Sequence, residues 1–181
     1  MGKSNLLLEL YSNLSTTGAL TFSSKALVQK MVNTVSLDDA KVIVELGGGD
    51  GSITRGIVER LPTNARLLVF EINESFCEVM RKEFSQENVE IINDSAENLA
   101  NYLNGEEIDF IFCSLPFTLI SKEATTRILS QSATHLSKKG FFVAICYSYV
   151  LKNLFKKHFK KVNVEFTLKN LPPAFVMVCN S

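Results

Sequence analysis

The chain has 181 residues, 46% of them hydrophobic and 21% charged, with 19 lysines and arginines balanced by 19 aspartates and glutamates. That length suits one compact domain able to hide roughly 70% of its extended-chain surface, and the lack of repeats or low-complexity tracts excludes a solenoid or disordered chain. The balanced charge gives no overall basic field of the kind nucleic acid attracts, which leaves only a local patch for such a partner.

The opening "NLLLELYSNL" sets Leu6, Leu7, Leu10, Tyr11 and Leu14 at helical spacing. Residues 1–35 are read as an N-terminal helical cap within a single domain spanning 1–181. Such an apolar face docks on the core, covers a bound ligand or touches a bilayer. Glu9 interrupts it and no small-residue cleavage pattern follows, so it is not read as a signal peptide. No apolar run approaches the roughly 18 residues of a membrane span.

Further along, apolar runs over 41–46, 66–72, 89–93, 108–113 and 141–147 predict strands, several of them apolar on consecutive residues as in a parallel sheet buried on both faces. Between and after them, helical patterns cover 52–60, 74–84, 96–102, 122–136 and 150–159. Strand and helix alternate, which predicts an α/β fold, a Rossmann-like doubly wound sheet. "VNVEFTL" and "AFVMVC" flank Pro172 and Pro173, which predict a turn, so the last two strands are expected to form an antiparallel hairpin on a seven-stranded, mostly parallel sheet. Cys77, Cys113, Cys146 and Cys179 are far apart, and the last three lie in apolar runs. They read as buried thiols of a reducing cytoplasm. His135 and His158 show no zinc-ligand spacing, so no metal is expected.

The stretch "VIVELGGGDGSITRGIVERL" runs from a strand through four glycines into a helix. Bare backbone at that junction lets a ligand approach where a side chain would collide. A dinucleotide loop needs a third small residue that Ser52 does not supply. Read as Glu-x-Gly-x-Gly-x-Gly, the stretch fits at Glu45, Gly47, Gly49 and Gly51. That spacing points to S-adenosylmethionine.

About twenty residues beyond, the second strand ends at Glu71, where a carboxylate can accept both hydroxyls of a ribose. The third ends at Asp94, which either accepts from an adenine amino group or caps the following helix. Leu46, Ile72 and Ser95 flank these groups and complete the expected cofactor site. The fourth strand brings Ser114, Leu115, Pro116 and Phe117 to the same sheet edge.

These residues resemble a class I S-adenosylmethionine-dependent methyltransferase over essentially the whole chain, and most of all the bacterial phospholipid N-methyltransferases. "TTGALTFSSKALVQKM", "CSLPF" and "NLPPAFVMVC" carry the resemblance. It implies a glycine-loop role for Glu45, Gly47 and Gly49, a ribose-binding role for Glu71 and an adenine-side role for Asp94. The related rRNA adenine dimethyltransferases end their fourth strand in Asn-Leu-Pro-Tyr or Phe, where this chain has Ser114. They also usually append a helical RNA-binding domain.

The resemblance implies N-methylation of a phospholipid or similar lipid amine in the cytoplasm, with peripheral contact at an anionic inner-membrane surface. The alternatives are an rRNA adenine N-methyltransferase and a non-catalytic S-adenosylmethionine-binding module. Methyl transfer needs alignment more than an acid or base, and no catalytic residue is fixed by sequence. The candidates are Ser114, Pro116, Phe117 and Tyr11, with Tyr147 as a further hydroxyl. Phe117 either faces a methylated ammonium or a base, or packs in the core. In "LKNLFKKHFKK" an apolar stripe of Leu151, Leu154, Phe155, His158 and Phe159 sits beside lysines that suit anionic lipid or RNA, or a solvated helix face.

Overall fold

The computed structural model describes residues 23–180. Helix α1 (Lys25–Val32) precedes β1 (Val42–Leu46), α2 (Ser52–Val58), β2 (Arg66–Phe70), α3 (Glu74–Glu83), β3 (Val89–Ile92) and a 3₁₀ helix (Ala96–Tyr102). Then come β4 (Ile108–Cys113), α4 (Lys122–His135), β5 (Leu136–Cys146), the short α5 (Leu151–Phe155), β6 (Lys161–Thr167) and β7 (Ala174–Asn180). Leu6, Leu7, Leu10, Tyr11 and Leu14 lie outside the described residues, so of the expected N-terminal cap only α1 is seen.

The strands form one seven-stranded sheet in the order β3-β2-β1-β4-β5-β7-β6. Strands β1 to β5 pair in parallel, and β7 lies antiparallel between β5 and β6. The sheet is therefore the predicted one. Because β7 runs backwards, β6 points the same way as β5. The turn before β7 and the ends of β1, β2, β4, β5 and β6 thus share one edge.

Strand alternation divides the core between two faces. Val42, Val44 and Leu46 face Leu99, Ile111, Ile128, Phe142 and Phe155 under the 3₁₀ helix, α4 and α5. Ile43, Leu67, Val69 and Val143 face Leu27, Met31, Ile57 and Met80 of α1, α2 and α3. With both faces covered, continuous apolar runs are what the central strands require.

Three elements depart from expectation. Residues 96–102 form a 3₁₀ helix, because Ala96, Leu99 and Tyr102 recur every three residues and eclipse on one side. Ser95 caps it, its hydroxyl accepting from Glu97 N–H at 3.2 Å. Strand β5 starts at Leu136 rather than 141, directly after α4. Its first half is exposed at Lys138 and Lys139 and so lacks an apolar signature. The register shifts between Ile108 and Phe110. Gly140 accommodates this, since a Cβ there would lie 2.8 Å from the Asp109 carbonyl oxygen. Finally, α5 stops at Phe155, although Phe155 and Phe159 both anchor in the core against Phe142, with ring centroids 5.7 and 5.0 Å away.

Candidate functional site

The glycine loop leaves β1 in a conformation that side chains resist. Gly47, Gly49 and Gly51 have φ of 87°, 53° and 77°, in the left-handed region. Gly48 is constrained by space instead, since a Cβ there would meet Val69 Cγ1 and Met80 Cε at 2.7 Å. The Phe70 carbonyl accepts from Gly47 N–H at 2.9 Å and Gly48 N–H at 3.1 Å, tying the loop to the end of β2. At its far end Asp50 accepts from the N–H and hydroxyl of Ser52, opening α2.

A cleft opens beside this loop at the carboxyl edge of the sheet. One wall is Gly47 with Phe70, Glu71 and Ile72 at the end of β2; another is Asp94 to Glu97. The third is apolar, with Leu115, Pro116, Leu119 and Ile120 after β4 and Ala124 and Ile128 on α4. Glu97 and Arg127 form an ion pair across the rim.

Glu71 is only 2% exposed. Its Oε2 accepts from Gly49 N–H at 2.8 Å and its Oε1 from Asn73 N–H at 2.9 Å. Burial pushes its carboxyl above the ordinary range, while those N–H groups oppose the shift. Each oxygen retains a lone pair, so the carboxylate both shapes the loop and can accept two hydroxyls.

Asp94 accepts from Ser95 N–H at 2.7 Å, Asn98 Nδ2 at 2.8 Å and the Tyr102 hydroxyl at 2.9 Å. Partial burial pushes its carboxyl up, but the bonds from Asn98, Tyr102 and Ser95 outweigh this and hold it below the usual range. Helix capping falls to Ser95, and Asp94 lines the cleft.

The remaining expected residues divide. Ile72 and Pro116 line the cleft, whereas Leu46 is fully buried in the core. Ser114 lies behind the lining, its hydroxyl donating to the Gly47 carbonyl at 2.6 Å. Phe117 is 6% exposed and stands edge-on to Phe155, 5.6 Å between centroids, inside the core cluster. Glu45 is fully buried on the α1–α3 face rather than in the cleft. Among the described residues no His, Cys, Asp and Glu cluster suits a metal.

Sequence reasoning missed Leu119, Ile120, Ala124 and Ile128, four of the six residues of the apolar wall. The spacing of Ala124 and Ile128 is that of any core-facing helix, so no signal separates them from packing residues.

The donor set fits S-adenosylmethionine. A carboxylate with lone pairs to spare can accept a diol, apolar walls can enclose a flat base, and the backbone is bare at Gly47. Fold and site together define a class I S-adenosylmethionine-dependent methyltransferase. The chain belongs to the family described as a methyltransferase domain, whose model matches residues 43–140.

An ornithine lipid N-methyltransferase of Singulisphaera acidiphila is 28% identical over 166 residues, covering 89% of this chain and 86% of that protein. An rRNA adenine N-6-methyltransferase of Lysinibacillus sphaericus is 30% identical over 113 residues, but these cover 62% of this chain and 44% of the relative. A Streptococcus mutans structure solved in complex with SAH superposes with a TM-score of 0.65 at 18% identity, over 86% of this chain and 97% of that one.

Proposed function

We propose that this enzyme methylates the amine nitrogen of a phospholipid or similar lipid, working at an anionic membrane surface. The observation that carries this reading is an exposed apolar patch on the same edge of the sheet as the cleft. Tyr147, Tyr149 and Val150 after β5, and Leu168 and Leu171 before β7, are 49%, 52%, 73%, 75% and 82% exposed. They share the sheet edge onto which the cleft opens. Lys169 is exposed next to Leu168, and Lys152 donates its Nζ to the Tyr149 hydroxyl at 2.9 Å. Exposed apolar side chains accompanied by lysines match the boundary between acyl chains and anionic headgroups. The match along most of an ornithine lipid N-methyltransferase supports the same class of acceptor.

S-adenosylmethionine supplies an electrophilic methyl group. Glu71 would hold its ribose, and Asp94 and Ile72 its adenine. An acceptor ammonium with a lysine-like pKa near 10.4 costs about 4.6 kcal/mol to deprotonate at pH 7. The apolar wall of Leu115, Pro116, Leu119 and Ile120 disfavours the charged form and lowers that cost. With its proton committed to the Gly47 carbonyl, Ser114 steadies the glycine loop from behind the cleft lining. Phe117 packs beneath the wall and acts through it.

The test is transfer of labelled methyl from S-adenosylmethionine to liposomes containing ethanolamine or ornithine lipids, beside unmodified ribosomal RNA. Label in lipid, reduced by Leu168→Asp with Lys169→Glu, is the expected outcome. Label confined to RNA would overturn the lipid reading and show that Ser114 serves where the RNA enzymes carry asparagine.

A further inference from the structure

Glu45 occupies surroundings that oppose its charge. It lies on β1 two residues before Gly47, fully buried, and neither carboxyl oxygen has a hydrogen-bond partner. The Thr54 hydroxyl and N–H are the donors beside it and favour its charged form without reaching hydrogen-bond geometry, and the hydroxyl lies 3.8 Å from the Met80 sulfur. The titratable groups acting between Glu45 and its neighbours are Glu71 at the end of β2, Asp50 in the glycine loop and the Cys113 thiol of β4. All are acids, and among the described residues none of the groups acting on Glu45 is a lysine, arginine or histidine.

An unpaired buried carboxylate among like charges is the costliest form such a group can take. Burial foremost pushes the Glu45 carboxyl up to about 8, with Thr54 opposing and the charges of Glu71 and Asp50 adding to the rise. What this corner lacks is a cation. The methyl donor of this enzyme class carries an ammonium that its product shares and a sulfonium that its product lacks.

We propose that Glu45 senses the charge of the cofactor: it holds a proton in the free protein and releases it to solvent when the sulfonium form binds, but not when the neutral thioether product binds. No covalent bond to the cofactor is involved. The carboxyl O–H bond breaks heterolytically, its electron pair stays on oxygen, and the proton passes to the buffer. Donor and product differ by one methyl group and its positive charge, while their ribose, ammonium and carboxylate are shared. Protons exchanged by Glu45, Glu71 or Asp50 in response to those shared groups therefore appear with both ligands and cancel, leaving the response of Glu45 to the sulfonium. The consequence is selectivity, since the donor gains affinity over the product as pH rises through the neutral range. The inference rests on the cofactor and not on which acceptor is methylated.

The experiment is isothermal titration of the full chain with S-adenosylmethionine and with S-adenosylhomocysteine, in phosphate and in Tris, so that the buffer dependence of the enthalpy counts protons. A carboxyl titrating near 8 is about nine-tenths protonated at pH 7, so the donor should release up to about 0.9 proton more than the product. The ratio of donor to product affinity should rise by up to about fifteenfold between pH 6.5 and 8. Glu45→Gln should abolish both the extra proton and the pH dependence of the ratio. Glu45→Asp, which keeps an ionisable group, should retain a proton difference. Equal proton release by the two ligands, or a ratio flat with pH in the wild type, overturns the proposal even if the glutamine variant fails to fold. A folded Glu45→Gln protein with the wild-type proton count overturns it equally.

Discussion

Replacing Glu71 with alanine separates the two jobs its carboxylate performs. On the protein side, Gly49 N–H and Asn73 N–H lose acceptors at 2.8 and 2.9 Å in a partly buried corner. Each N–H left dry costs about 1–3 kcal/mol, and each one that water reaches costs less. On the ligand side a ribose diol loses its charged acceptor, worth about 1.5–3 kcal/mol, which corresponds to roughly 10- to 150-fold in Kd. Titration calorimetry with S-adenosylhomocysteine measures the second term, and thermal melting the first. A 1 kcal/mol loss should lower the melting temperature by about 2–4 °C in a domain of this size. Glu71→Gln is not a neutral control, because its amide can accept from only one N–H and turns a donor toward the other. It should bind more weakly than wild type, although the shape is unchanged. A folded Glu71→Ala protein with wild-type affinity would refute the ribose assignment, whatever happens to its melting temperature.

Ser114→Ala removes the hydroxyl held 2.6 Å from the Gly47 carbonyl; about 1 kcal/mol of stability should go, and turnover should fall by more than the melting shift accounts for. Gly48→Ala should cost about 1–3 kcal/mol by overpacking, because its Cβ would lie 2.7 Å from Val69 and Met80. Gly105→Ala, with φ of 83° and nothing within 4 Å, should cost about 1 kcal/mol from the backbone alone; denaturant titration of the pair tests that order. Phe117→Leu should lower denaturation midpoints while leaving kcat of the folded enzyme near wild type, and a selective loss of kcat would restore a direct substrate role. A raised folded-state pKa stabilises below the unfolded value and that stability is lost as pH rises through the folded one. For Glu45 the window runs from about 4.5 to about 8, so wild-type melting should fall relative to Glu45→Gln across pH 5–8. Parallel pH curves would show that the buried carboxyl does not titrate there.

Which parts of this molecule were legible follows from how local their physics is. The parallel strands announce themselves because both faces are covered, and Glu71 stands at a strand end beyond a glycine loop, a position fixed by chain direction alone. The glycine spacing likewise encodes three left-handed residues, since Gly47, Gly49 and Gly51 are the loop positions with positive φ. Gly48 is a glycine for a reason no spacing can reveal, the approach of Met80 from a helix thirty-odd residues away. Sequence also cannot say which face of β1 an acid occupies without knowing what covers it. The glycine pattern groups Glu45 with Gly47 and Gly49, yet strand alternation turns it with Ile43 toward α2 and away from the cleft. Ser114 shows the same limit from the other side. A residue at the edge of β4 looked like a group aimed at an acceptor, and its hydroxyl is spent on the loop that would carry the cofactor. The two residues therefore bracket the glycine loop, one from beneath and one from beside it. Function there depends on the backbone between Glu45 and Gly49 as much as on any side chain that meets a ligand.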